Sequence, residues 1–219
     1  MLTKQSKLIK FTSIDKEKKG CYNMNTVLNE NKKYIGYKLF KVKVSRPGEI
    51  FPLYVNADKP TPIGVWIDAE CGERKENGKV KSKLGDLAFR PGWHLSDYPL
   101  ATHIGVKDEN GNVAYIKPDT VWCEVEYSHK VDYQIAANQN GINSKGVLVP
   151  KNAYITDVPC DGFYRYKTNP NMFQDWIIAG SIKINRILSD AEVNKILVKN
   201  NLTVMERYGG EFDAAKYGF

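Results

Sequence analysis

QDWIIAGSIKINRILSDAEVNKILVKNN, residues 174–201, holds both kinds of element that decide the fold. In WIIAGSIKI, Trp176, Ile178, Gly180, Ile182 and Ile184 take alternate positions, the period-two pattern of a strand with one buried face. The period then changes. Ser189 is placed to cap a helix, Glu192 three residues on completes a capping box, and Val193, Ile196 and Leu197 form an apolar stripe. This segment therefore predicts a strand running directly into a helix.

Strand patterns also dominate upstream. YIGYKLFKVKV alternates Tyr37, Leu39, Lys41 and Lys43 against Lys38, Phe40, Val42 and Val44, and Arg46-Pro47-Gly48 turns the chain. FPLYVN and PIGVWIDAE read as two short strands separated by ADKPTP, where prolines cannot donate to a ladder. CGERKENGKVKSKLG is charged, carries an Asn-Gly turn, and predicts a surface loop or hairpin tip. TVWCEVEYS sets Val121, Cys123, Val125 and Tyr127 against Trp122, Glu124 and Glu126 as a half-buried strand, and DYQIAANQN predicts a short helix ending at Gly141. Strands outnumber helices without βαβ alternation, so the expected class is α+β with a mainly antiparallel sheet.

Residues 1–33 are polar and rich in Lys and Asn, and predict a flexible basic arm before a single domain spanning 34–219. A 42% apolar fraction with thirteen Tyr, eight Phe and four Trp suffices for a substantial core. The formal charge of +7 favours anionic partners without choosing among them, and much of it lies in runs where Lys alternates with Glu, as on a solvated surface. Four cysteines without a C-x-x-C pair predict reduced thiols in a cytoplasmic protein. No stretch approaches the roughly twenty apolar residues that cross a bilayer.

Chemistry concentrates in RPGWHLSDYPLATHIG, residues 90–105. Pro91-Gly92 predicts a turn, Trp93 to Leu95 an extended segment, and Ser96 or Asp97 the cap of a helical turn burying Leu100, Ala101 and Ile104. Trp93 and His94 then stand before a helix N-terminus, whose free N–H groups suit the phosphates of a nucleotide. Packing of Trp93 and a His94 bond to a backbone carbonyl account for the same residues structurally.

Gly92-Trp93-His94-Leu95-Ser96-Asp97, with Ala101 four further on, resembles the Gly-x-Tyr-Phe-(Ala/Ser/Thr)-Asp…Ala segment of ADP-ribosyltransferases of the poly(ADP-ribose) polymerase and diphtheria-toxin type. Gln174-Asp175-Trp176-Ile177-Ile178, followed by the apolar residues 182–188, is similar to the family's later strand, which opens with a catalytic Glu. The resemblance implies a split antiparallel sheet, NAD as substrate, and transfer of ADP-ribose to a protein or nucleic-acid acceptor. It implies that His94 stacks on nicotinamide and that Asp175, one carbon shorter than the family's Glu, stabilises the ribosyl cation. Arg90, Trp93 and Ser96 would line the cleft. The family's first motif, a His or Arg on the opening strand, has only Lys38 and Lys41 as counterparts, and Lys41 is the expected ribose or phosphate contact. KLGDLAFRPGWH also resembles a segment of proteins from bacteriophages and mobile elements, which implies an effector acting on host components.

Two other classes compete. One is a catalytically inactive relative that binds nucleic acid or a host protein through its basic face. The other is a hydrolase or nuclease pairing His94 with Glu124 or Asp97. DGFYRYK, residues 161–167, mixes aromatic and basic residues as single-strand readers do, although a turn flanked by packed tyrosines has the same composition. Glu124 and Glu126 read as the wet face of a strand, and His94 with His103 lacks the spacing of a metal site.

Overall fold

Gly180 splits the strand read from WIIAGSIKI. A Cβ there would stand 2.1 Å from the Pro159 carbonyl oxygen, so only glycine lets the two backbones meet. The chain leaves one sheet at Ala179 and enters another at Ser181. Ile177, Ala179, Ile182 and Ile184 consequently share one core, while Ile178 faces a different one, a correction to the single alternating face expected of the run.

The computed structural model describes residues 34–219; the basic arm expected over 1–33 lies outside the described residues. The strands are β1 (Ile35–Val42), β2 (Ile50–Phe51), β3 (Trp66–Asp68), β4 (Val80–Ser82), β5 (Gly85–Leu87), β6 (Trp93–Leu95), β7 (Val106–Lys107), β8 (Val113–Tyr115), β9 (Thr120–Tyr127), β10 (Val131–Asp132), β11 (Gly162–Tyr166), β12 (Trp176–Ala179) and β13 (Ser181–Ile187). The helices are α1 (Gln134–Gly141) and α2 (Asp190–Lys199). The fold is α+β, as the strand-rich sequence predicts.

One sheet has the order β2-β1-β9-β13-β3 and is antiparallel throughout; the second runs β10-β11-β12-β6 with a single parallel pair, β10 with β11. Their inner faces meet in a core of Phe40, Val121, Val125 and Ile184 from the first sheet against Leu95, Ile177 and Ala179 from the second. A bridge between Tyr37 and Ser96 joins β1 to the β6 edge, so the sheets diverge from a shared seam.

The outer faces are packed over part of their area too. Leu39 and Trp122 pack with Leu188, Val193 and Leu197 under α2, while Tyr164 and Ile178 pack with Ala137 of α1 and with Tyr133, which precedes it. This second layer explains why β1 and β9, read as half-buried, are buried on both faces over most of their length. Glu124 and Glu126 remain at the margin, paired with Arg186 and Lys183. α2 forms with the expected capping box between Ser189 and Glu192, and FPLYVN shrinks to Ile50–Phe51 because Pro52 stops the ladder. Among the described residues no helix is long and apolar enough to cross a membrane.

Candidate functional site

The strands carrying the sequence motifs lie side by side. β6 holds Trp93-His94-Leu95 and pairs antiparallel with β12, in the register Leu95↔Ile177 and His94↔Ile178. Continued by two residues, this register sets Asp97 level with Asp175. Across the other edge of β6, Ser96 is bonded to Tyr37 of β1. Gly92 begins the motif with φ +137°, and a Cβ there would fall 2.4 Å from the Ile178 side chain. Its glycine is thus a structural requirement of the β6–β12 contact.

Alternation then sorts the side chains onto two faces. Toward the first sheet point Trp93, Leu95 and Asp97, with Ile177 and Arg165 beside them. Lys38 enters from β1, donating from Nζ to the His94 carbonyl at 3.1 Å, with the Trp93 and Phe40 rings 5.3 and 5.4 Å away. Burial pushes its ammonium down to about 8, and pushes up the neighbouring Cys123 thiol. Trp93 is oriented by its indole N–H, which donates to the Ile67 carbonyl at 3.1 Å.

At the mouth of this wedge Arg165 grips Asp97 through both guanidinium ends, at 2.6 and 2.9 Å. The pair raises the Arg165 pKa, while burial pushes the adjacent Tyr127 hydroxyl up to about 12. Asp175 sits nearby with Lys167 Nζ 3.6 Å from its carboxylate. Aromatic rings close the mouth: Tyr34 stacks on His129 at 4.2 Å and meets Tyr127 and Phe163 at 5.7 Å each.

His94 leaves the strand on the opposite face. Its Nδ1 lies 3.2 Å from the Gly92 carbonyl, and its ring meets Trp176 edge-on at 6.4 Å. Burial, with further help from the positive charges of Lys38 and Arg90, pushes the imidazole down to about 4, so it is neutral at physiological pH. His103 approaches the other side of Trp176 at 5.2 Å. Arg90 lies over the Tyr166 ring at 4.5 Å and the Tyr154 ring at 5.5 Å.

Several expectations are therefore corrected. His94 and Asp175 do not converge, because they project from opposite faces of the sheet, and His94 faces neither Asp97 nor Glu124. Lys41 is spent in an ion pair with Asp119 at 2.9 Å, at the end of β1 away from Ser96; Lys38 is the β1 lysine that reaches β6. Ser96 caps no helix. It extends β6 into the bridge, its hydroxyl donating to the Tyr98 carbonyl at 2.7 Å, and the following residues bend without forming the expected turn of helix. Arg90 does share a face with His94, whereas Trp93 faces the wedge.

Arg165, Tyr127 and Lys167 escaped assignment as site residues. The signal for Arg165 and Lys167 was the mixture in DGFYRYK, but only the strand register reveals that they meet the acids while Tyr164 and Tyr166 are buried behind them. Among the described residues no group of three His, Cys, Asp or Glu gathers as a metal site. A surface depression of about 390 Å³ lies elsewhere, over Tyr54, Asp58, Lys59 and Glu70, and its charges are paired with one another. Comparison with family models, with curated proteins and with solved structures gives no match.

Proposed function

We propose that the chain is an ADP-ribosyltransferase-type protein of the cytoplasm that takes NAD in the wedge between its two main sheets and passes ADP-ribose to a macromolecular acceptor. The observation that carries this reading is the adjacency of β1, β6 and β12. Three segments separated by more than fifty and eighty residues in sequence are neighbours, with Lys38, Trp93 and Asp175 all on the wedge side.

Lys38 takes the place expected of Lys41 and presents a cation to ribose or phosphate. Trp93 supplies an aromatic wall. His94 acts from behind the strand, where its neutral ring packs on Trp176. Asp175 faces the ribose, and Lys167 exchanges its ion pair for a phosphate when the nucleotide arrives. The bond from ribose C1′ to the nicotinamide nitrogen breaks with its electron pair leaving on nicotinamide. An acceptor nucleophile then bonds C1′ and releases its proton to water. A carboxylate near C1′ stabilises the positive charge that develops between these events.

Incubation with labelled NAD should release nicotinamide, and Asp175→Ala should reduce that rate by at least about a hundredfold, the usual scale for one electrostatic group, while NAD binding persists. Absence of NAD binding would sink the reading. A second reading, an inactive relative, is favoured by the neutralisation of both wedge carboxylates, Asp97 by Arg165 and Asp175 by Lys167. Its signature is NAD binding without nicotinamide release.

A further inference from the structure

The outer face of β6 and β12 carries a cation without a counter-charge among the described residues. Six arginines occur in the chain. Among the described residues, Arg46, Arg165, Arg186 and Arg207 each meet a carboxylate, while the Arg74 and Arg90 side chains meet only rings. Of these two, Arg90 also has a buried Nε–H without an acceptor among the described residues. An N–H donor withdrawn from water and left unbonded costs on the order of 1–3 kcal/mol, and such a group calls for an explanation.

Its surroundings narrow the choice of ligand. Tyr166 and Tyr154 hold the guanidinium in place, and Trp176, the cross-strand neighbour of Tyr166, extends the row of rings to His94 and His103. His94 adds a ring without adding charge. Three residues before Trp176, Phe173 stands 69% exposed, with Tyr98 beside it. One fixed cation beside a line of partly exposed rings suits a chain of phosphates and bases better than a protein carboxylate, because each base offers a face to a ring while the guanidinium forks onto a phosphate. The net charge of +7 favours the same partner at long range.

We propose that this outer face binds single-stranded nucleic acid, with a backbone phosphate at Arg90, a base stacked on Trp176 and, beyond the start of β12, a further base on Phe173. The surface is separate from the wedge and does not rest on the NAD reading.

The test is fluorescence anisotropy of the full chain with labelled twelve-residue oligo-dT and oligo-rU, and with a duplex of the same length as a control. The expected result is single-strand binding that weakens steeply with salt. Arg90→Ala should weaken it about tenfold or more, Phe173→Ala about fivefold, and the duplex should bind less well than either single strand. Phe173 is exposed, so its variant tests the surface even where Arg90→Ala unfolds the chain. Phe173→Ala should leave nicotinamide release from NAD unchanged, which separates failure here from failure of the NAD reading. Dissociation constants above roughly 0.1 mM at about 0.1 M salt would overturn the proposal. So would affinities unmoved by Phe173→Ala and Arg90→Ala, a preference for duplex, or binding of inorganic phosphate or mononucleotides alone.

Discussion

Arg207 and Arg90 show two ways of burying a guanidinium. Arg207 has a side chain only 4% exposed and bonds through all three of its nitrogens: Nε and Nη2 bond Asp190 at 2.9 and 2.7 Å, and Nη1 bonds the Lys117 and Thr120 carbonyls at 2.7 Å each. Asp190 also accepts from the Phe212 backbone N–H, so the cluster ties the C-terminal segment to the start of α2 and the entry to β9. Arg90 has rings around it and an N–H with no acceptor among the described residues. Arg207, bonded through every nitrogen, ties three segments together, and the unbonded Nε of Arg90 is the feature on which the proposed nucleic-acid surface rests.

The largest effect should come from breaking the Arg207 site. Arg207→Ala leaves Asp190 half-buried without its cation and strands two carbonyls, so it should cost about 3–5 kcal/mol in chemical denaturation. Asp190 also sets an acid response. Burial alone would raise its pKa, yet bonds from Arg207 and the Phe212 N–H hold it below the ordinary carboxylate value of 3.8. Its contribution is present at neutral pH and lost as the solution falls through that depressed value. A loss under about 1 kcal/mol in Arg207→Ala would remove the contrast with Arg90.

Lys38 lies between the two extremes, with one carbonyl acceptor and two rings. Its folded value near 8 lies below the unfolded value of 10.5, so between these the unfolded chain binds more protons. Stability should therefore rise with pH across that window, by about 3 kcal/mol, and remain lower at neutral pH. Lys38→Met should abolish the rise and should be no less stable than the parent at pH 7. Denaturation midpoints from pH 7 to 10.5 decide this, and a parent curve parallel to that of Lys38→Met would show that Lys38 keeps its proton without penalty.

The sequence made the α+β class, α2 with its capping box and the motif-bearing segments legible, because these depend on local period and on residues three or four apart. Site geometry depends on quantities the local pattern does not carry. Gly180 looked like one more position in an alternating run, but its close approach to Pro159 turns the chain between sheets and reverses which residues face the wedge. Ser96 looked like a cap because Ser before Pro-rich polar sequence usually is one, but long-range pairing with Tyr37 took its backbone into a bridge. Choosing Lys38 over Lys41 needed the β1–β6 register. Separating His94 from Asp175 needed the β6–β12 register, since an odd offset places side chains on opposite faces.

The smallest expected effect is the sharpest discriminator. Arg90→Ala removes a cation–π contact worth roughly 0.5–2 kcal/mol and, at the same time, removes a buried N–H that has no acceptor among the described residues. These contributions oppose each other, so stability should change by less than about 1 kcal/mol, against the several expected for Arg207→Ala. His94 reports the same change independently: with one nearby positive charge gone, its depressed pKa should move upward, measurable by NMR titration of the imidazole protons. A loss of 3 kcal/mol or more would make Arg90 a structural arginine like Arg207, with an acceptor supplied by ordered water, and its surroundings would then need no ligand to account for them.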